Sequence, residues 1–202
     1  MTDDQKDFPA IYAEYRPKIV GYLRRLVGDA DAEDVAQEVF VKVSRSLDNF
    51  RGDSSLSTWI YRIATNAATD HLRKRSSRQD LPAAGGLPDD DAQAIESEVP
   101  DNGTPILDTL LIRKDMNECI RGIVDGLPDR YRTVLVLSEF EGFTNAEIAK
   151  VAGISLDAVK VRLHRARTRL RKELESHCSF YHDQRNELAC DRKTIPLKFH
   201  PK

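Results

Sequence analysis

Apolar side chains recur at three- and four-residue steps through residues 8–75 and again through 113–175. This is the period of helices that bury one face, and it predicts an all-α fold. Phe8, Ile11, Tyr12, Tyr15, Ile19, Tyr22, Leu23 and Leu26 form the apolar face of a first helix, closed by Gly28-Asp29. Asp31 is suited to cap a second helix, with Glu33 and Asp34 in the first turn, where they complement the helix dipole. Val35, Val39, Phe40 and Val43 supply its apolar side. Asp34, Gln37, Glu38 and Lys42 line another side, a polar stripe that is either solvated surface or a docking face.

The loop Asn49–Ser57 leads into a third helix containing Trp59, Tyr61, Arg62 and Asn66, which turns basic at His71, Arg73, Lys74 and Arg75. Aromatic rings beside amide, hydroxyl and basic groups suit a single-stranded nucleic acid, through base stacking and phosphate attraction. The same rings equally suit a core or rim position, so this pattern is weak by itself.

The sharpest local signal lies in the second half, where Leu127-Pro128 separates one helix from the next, Tyr131–Leu137. Thr144-Asn145-Ala146-Glu147 has capping-box spacing, in which the hydroxyl and the carboxylate each satisfy a backbone donor at a helix start. The short helix Glu147–Val151 then meets Gly153, which tolerates the positive φ of a tight turn, and Ser155, a cap for the following helix. With small Ala149 and apolar Ile154, Val159 and Leu163 where the helices meet, this reads as a helix-turn-helix. At 100° per residue, Val159, Leu163, Ala166 and Leu170 share a narrow sector, while Lys160, Val161, His164, Arg165, Thr168, Arg171 and Lys172 spread over the other side. A basic outward face there suits the major groove, where phosphates give affinity and base edges give choice. Val161 is apolar and outward, able to meet a thymine methyl.

Composition first argues against such a partner. The 202 residues carry 31 basic and 33 acidic side chains, a net charge of -2. Read by segment, however, residues 80–108 hold no basic and 8 acidic side chains. Without them 31 basic face 25 acidic groups, so the remainder is net positive. The same stretch carries Pro82, Gly85, Gly86, Pro88, Pro100, Gly103 and Pro105 with little apolar periodicity, and reads as a flexible acidic linker. The expected layout is two small helical domains, 1–79 and 109–175, on either side of it. No apolar run approaches a membrane span, and the start MTDDQKDFPA lacks the order of a signal peptide, so a cytoplasmic location is expected. Three cysteines, Cys119, Cys178 and Cys190, are too few for a disulfide framework.

Three stretches, taken in order, resemble the extracytoplasmic-function group of the sigma-70 family, the dissociable promoter-recognition subunits of bacterial RNA polymerase. They are Asp31–Val43, Thr58–Asn66, and Gly142–Ala149 followed by Val159–Arg167. The resemblance implies that Asp34, Gln37, Glu38 and Lys42 dock on core RNA polymerase. It implies that Asn49, Arg51, Ser57, Trp59, Arg62, Asn66, Arg73 and Lys74 bind the unwound minus-ten element of promoter DNA. Ser155, Lys160, Val161, His164 and Arg165 would read the minus-thirty-five element as duplex. An anti-sigma factor is a further candidate partner.

No Walker loop, HExxH motif or nucleophile elbow is found, so function is expected through binding rather than catalysis, with no cofactor required. The alternative is a helix-turn-helix regulator that binds operator DNA without the polymerase, which leaves the first half unexplained. Residues 176–202 lie beyond the family pattern. His177, Cys178, His182 and Cys190 are ligand types for zinc or copper, and the two thiols are a candidate redox pair. The plainer reading of this extension is a tail helix packed on the second half.

Overall fold

A computed structural model describes residues 7–78, 114–182 and 188–192, the last five and several neighbouring positions as backbone only. The expected acidic linker, 80–108, and the side chain of Cys119 lie outside the described residues. Helix α1 (Phe8–Val27) is followed by α2 (Asp29–Ser46), a short 3-10 turn (Leu47–Asn49) and α3 (Leu56–Arg78). The second group is α4 (Lys114–Asp125), α5 (Asp129–Glu139), α6 (Asn145–Ala152) and α7 (Leu156–His177). A two-stranded antiparallel hairpin follows, β1 (Cys178–His182) and β2 (Leu188–Arg192), with Cys178 opposite Arg192 and Cys190 opposite Phe180.

The fold is all-α apart from this hairpin, as the helical period demands. The hairpin corrects the expectation of a tail helix: α7 ends at His177, and Cys178 at φ -124 and ψ 143 is already extended. The start of α2 also differs from the sequence reading. Gly28, at φ 93, both closes α1 through its N–H to Arg24 O and precedes α2 directly, so the helix begins at Asp29 and Asp31 lies inside its first turn. Asp31 faces α3 instead, 3.1 Å from His71 and 3.7 Å from Arg75.

Helices α1, α2 and α3 pack around Ile19, Tyr22, Leu23, Val35, Val39, Val43 and Ile60, all essentially without exposure. Tyr22 carries a hydroxyl into this core, and the hydroxyl of Thr65 meets it at 2.8 Å. Burial without such a partner costs about 1–3 kcal/mol, so the pair explains how a polar atom is tolerated here. Burial pushes the Tyr22 phenol well above its ordinary range, which keeps it neutral. In the second group α5, α6 and α7 enclose Val134, Leu135, Leu137, Ile148, Val159 and Leu163. The two groups also touch, α3 against α6 and α1 against α4 and α5.

Local chemistry fixes the helix-turn-helix. The Thr144 hydroxyl accepts from Glu147 N–H at 3.3 Å, and the Thr144 N–H donates to the Glu147 carboxylate at 2.9 Å. Gly153 takes φ 67 at the turn, and Ser155 Oγ accepts from Ala158 N–H at 3.1 Å. The bond from the Thr144 hydroxyl, followed by that from its N–H, holds the Glu147 carboxyl below its ordinary 4.5. This contribution is therefore present above the unfolded value and lost as pH falls through the lowered folded one. Replacing Thr144 by Ala is expected to destabilise the protein by about 1 kcal/mol at neutral pH. The gap between the thermal melts of the two proteins should narrow well below about pH 4, where the carboxyl is protonated in either state, and should not close, because the Thr144 hydroxyl still accepts from Glu147 N–H.

Candidate nucleic-acid interface

The polar stripe of α2 is fully presented. Asp34, Gln37, Glu38 and Lys42 are exposed, and together with Val41 and Arg45 they line a shallow depression along the helix. Val41 is 49% exposed, an apolar contact in the middle of charged neighbours. Val41 and Arg45 were not singled out from the sequence, although the steps 34, 37, 38, 41, 42 and 45 place all six on one helical side. Such a face, mixed in charge with one apolar centre, suits another protein better than nucleic acid.

On α3 the positions 59, 62, 66 and 73 form one stripe at helical spacing. Arg62, Asn66, Arg73 and Lys74 are exposed, and Trp59 is half-buried. The Trp59 ring lies 5.1 Å from that of Phe50, interplanar angle 42°, which ties the 49–55 loop to the helix. Ser55, not Ser57, caps α3: its hydroxyl accepts from Thr58 N–H at 3.1 Å, and Ser57 stands half-buried in the first turn. Asn49 and Arg51 are exposed beside this corner. Of the eight residues expected at a single-stranded site, Trp59, Arg62, Asn66 and Arg73 share one stripe of α3, Asn49 and Arg51 lie in the segment that Phe50 ties to Trp59, and helical spacing puts Ser57 on the opposite side and Lys74 a quarter turn away. Tyr61, on the same helix, faces inward and is 3% exposed, so it belongs to the core.

The outward face of α7 is basic as expected. Lys160 and His164 are exposed, and Val161 and Arg165 are half-buried on the same surface. The Ser155 hydroxyl is engaged as the helix cap, which leaves its proton for a phosphate contact. Arg167 is paired with Glu139 of α5, its Nη2 and Nε donating at 2.8 and 3.1 Å while the side chain stays 41% exposed. Leu156, at the first turn of α7, is 43% exposed and was missed by the angular placement, which began three residues later. In a helix-turn-helix the first residues of the second helix approach base edges most closely.

The C-terminal ligand types are not gathered. Among the described residues, no group of three or more His, Cys, Asp or Glu is placed to hold a metal ion. His177 Nδ1 lies 2.8 Å from Glu173 O and 2.7 Å from the Ser176 hydroxyl, and Cys178 is 2% exposed. The side chains of His182 and Cys190 lie outside the described residues.

A helix-turn-helix with a basic outer helix, packed on a second helical unit with exposed amide and basic groups, is the architecture of a DNA-binding protein. Comparison with known proteins agrees and is more specific. Residues 11–78 match the family model for Sigma-70 region 2, and residues 117–170 match that for Sigma-70 region 4. The chain is 36% identical over 173 residues to the RNA polymerase sigma-H factor of Pseudomonas aeruginosa, covering 85% of this chain and 88% of that protein. It is 32% identical over 169 residues to the ECF RNA polymerase sigma-E factor of Escherichia coli, covering 81% and 84%. The sigma factor RpoE of Bartonella quintana, solved with the anti-sigma factor NepR, shares the fold at TM-score 0.60 and 24% identity, over 84% of this chain and 98% of that one. The chain belongs to the extracytoplasmic-function group of the sigma-70 family and is a sigma factor. Among the described residues no helix is long and apolar enough to cross a membrane.

Proposed function

We propose that this sigma factor binds core RNA polymerase through the α2 face, engages the unwound minus-ten element along α3 and its preceding loop, and reads the minus-thirty-five element as duplex through α7. The observation that carries this reading is the pairing, in one chain, of the Trp59-Arg62-Asn66 stripe with a helix-turn-helix whose outer helix presents Lys160 and His164. Extruding a base costs a few kcal/mol of unstacking, and the half-buried Trp59 beside Phe50 offers an aromatic wall against which a flipped base recovers part of it. The units 1–79 and 109–175 act on the two elements, with 80–108 as their connector. The factor supplies recognition and strand opening while the polymerase carries out the chemistry in the cytoplasm, and no cofactor is called for.

The solved complex of RpoE with the anti-sigma factor NepR supports an anti-sigma protein as a further partner. A modulating role for the C-terminal extension rests on the chemistry of its thiols. The hairpin register sets Cys190 opposite Phe180, two residues from the position opposite Cys178. The decisive experiment is run-off transcription with purified core polymerase and promoter fragments selected by the reconstituted enzyme. Specific transcripts dependent on this chain are expected, and failure to bind core polymerase at low salt overturns the reading.

A further inference from the structure

We propose that Asp157 is a specificity-determining residue of the minus-thirty-five site and selects cytosine at one position of that element. The inference rests on the duplex-reading role proposed for α7 and adds to it the identity of a base. At 100° per residue, Asp157, Val161 and His164 fall within about 60° of arc, on the side opposite buried Val159, Leu163 and Leu170. The outward face of α7, basic at Lys160 and His164, thus carries a carboxylate along its midline. Asp157 is the second residue of the helix, and its side chain is 68% exposed. In a helix-turn-helix this end of the second helix approaches base edges most closely.

A carboxylate in that place has the wrong charge for phosphates and the wrong chemistry for most base edges. It only accepts hydrogen bonds, and the major groove offers it mainly acceptors: N7 and O6 of guanine, N7 of adenine and O4 of thymine. The donors are the exocyclic amines of adenine and cytosine. Adenine's amine lies between two acceptors, its own N7 and O4 of the paired thymine, and both repel a carboxylate. Cytosine's amine has such a neighbour on one side only, O6 of the paired guanine. Cytosine is therefore the base that Asp157 favours, and guanine, with two acceptors turned toward it, the base it rejects most strongly. Lys160 Nζ lies 3.9 Å from Asp157 Oδ1, close enough to offset repulsion from the phosphates yet beyond hydrogen-bond length. Asp157 also complements the α7 dipole from the first turn, but a carboxylate kept for that alone leaves base choice untouched.

Holoenzyme reconstituted from core polymerase and the full chain tests this. Promoter fragments selected by the wild type are varied one base pair at a time across the minus-thirty-five element, and affinity for each is measured with wild type, Asp157→Ala and Asp157→Asn. The wild type is expected to prefer cytosine over guanine at one position by about five- to tenfold. Asp157→Ala should flatten that position and leave the preferences at the others in place. Asp157→Asn, which donates as well as accepts and suits adenine N6 and N7, should admit adenine there. Both variants keep the Ser155 cap of α7, and thermal melts serve as the folding control. A wild-type profile without a cytosine preference overturns the assignment and leaves the sigma-factor reading standing. So does an Asp157→Ala variant that weakens all fragments alike and keeps the wild-type profile. A wild-type holoenzyme that selects no sequence at all overturns that reading, and the assignment falls with it.

Discussion

Replacing Asp34 and Glu38 together by lysine is expected to lower affinity for core RNA polymerase by at least about 100-fold while leaving the fold intact. Both carboxylates are exposed on α2 and flank Val41 in the depression completed by Gln37, Lys42 and Arg45. A protein partner that complements this face meets two reversed charges, and like-charge juxtaposition across an interface costs several kcal/mol, where about 1.4 kcal/mol is a factor of ten. The buried side of α2, Val35, Val39 and Val43, is untouched, so stability should stay within about 0.5 kcal/mol of wild type. Titration against core polymerase, with thermal unfolding as control, reads both quantities. Unchanged affinity in a folded variant would remove α2 from the docking surface. A conservative companion, Val41→Ala, should weaken binding more modestly, because it trims the apolar centre without introducing repulsion.

Asp34, Gln37, Glu38 and Lys42 could be placed on one helix side before any coordinates because a helix face is a local property. The same holds for the capping box at Thr144 and Glu147 and for the Gly153 turn, whose determinants all lie within a few residues of one another. Where the reading fell short, the deciding partner lies far along the chain or the signal is small. Arg167 sits in a basic run, and no local spacing shows that Glu139, 28 residues earlier, pairs with it. Tyr61 belongs to an aromatic-rich stripe, and only its contact with Glu141, 80 residues later, shows that it faces the second helical group. Arg25, Tyr61 and Glu141 meet between the two helical groups from three unremarkable positions, so no spacing announces the contact. The α2 cap was misplaced by three residues because Gly28 serves two helices at once, leaving no loop for Asp31 to end. In the hairpin, five-residue strands carry too few alternating positions to outweigh the helical pattern of the preceding 22 residues of α7.

Leu163→Ala and Lys160→Ala separate holding the reading helix from reading with it. Leu163 is 3% exposed, on the side of α7 that packs on α5 and α6, and truncating it leaves a cavity in the smaller of two cores. A loss of about 2–5 kcal/mol is expected, seen as a lower melting temperature. Binding to minus-thirty-five duplex falls with it, and cooling recovers the part lost to unfolding. Lys160 is 59% exposed, with Asp157 3.9 Å away, so its truncation should leave the melting temperature almost unchanged. If its ammonium meets a phosphate, affinity weakens similarly across sequences and the slope of log affinity against log salt falls by about 1. If instead it bonds a guanine edge, the loss concentrates at one base pair and amounts to about 1–3 kcal/mol of discrimination. An alanine at position 160 that changes neither the slope nor the sequence preference would place the DNA contact elsewhere on α7, with Leu156 and His164 the next exposed positions to test.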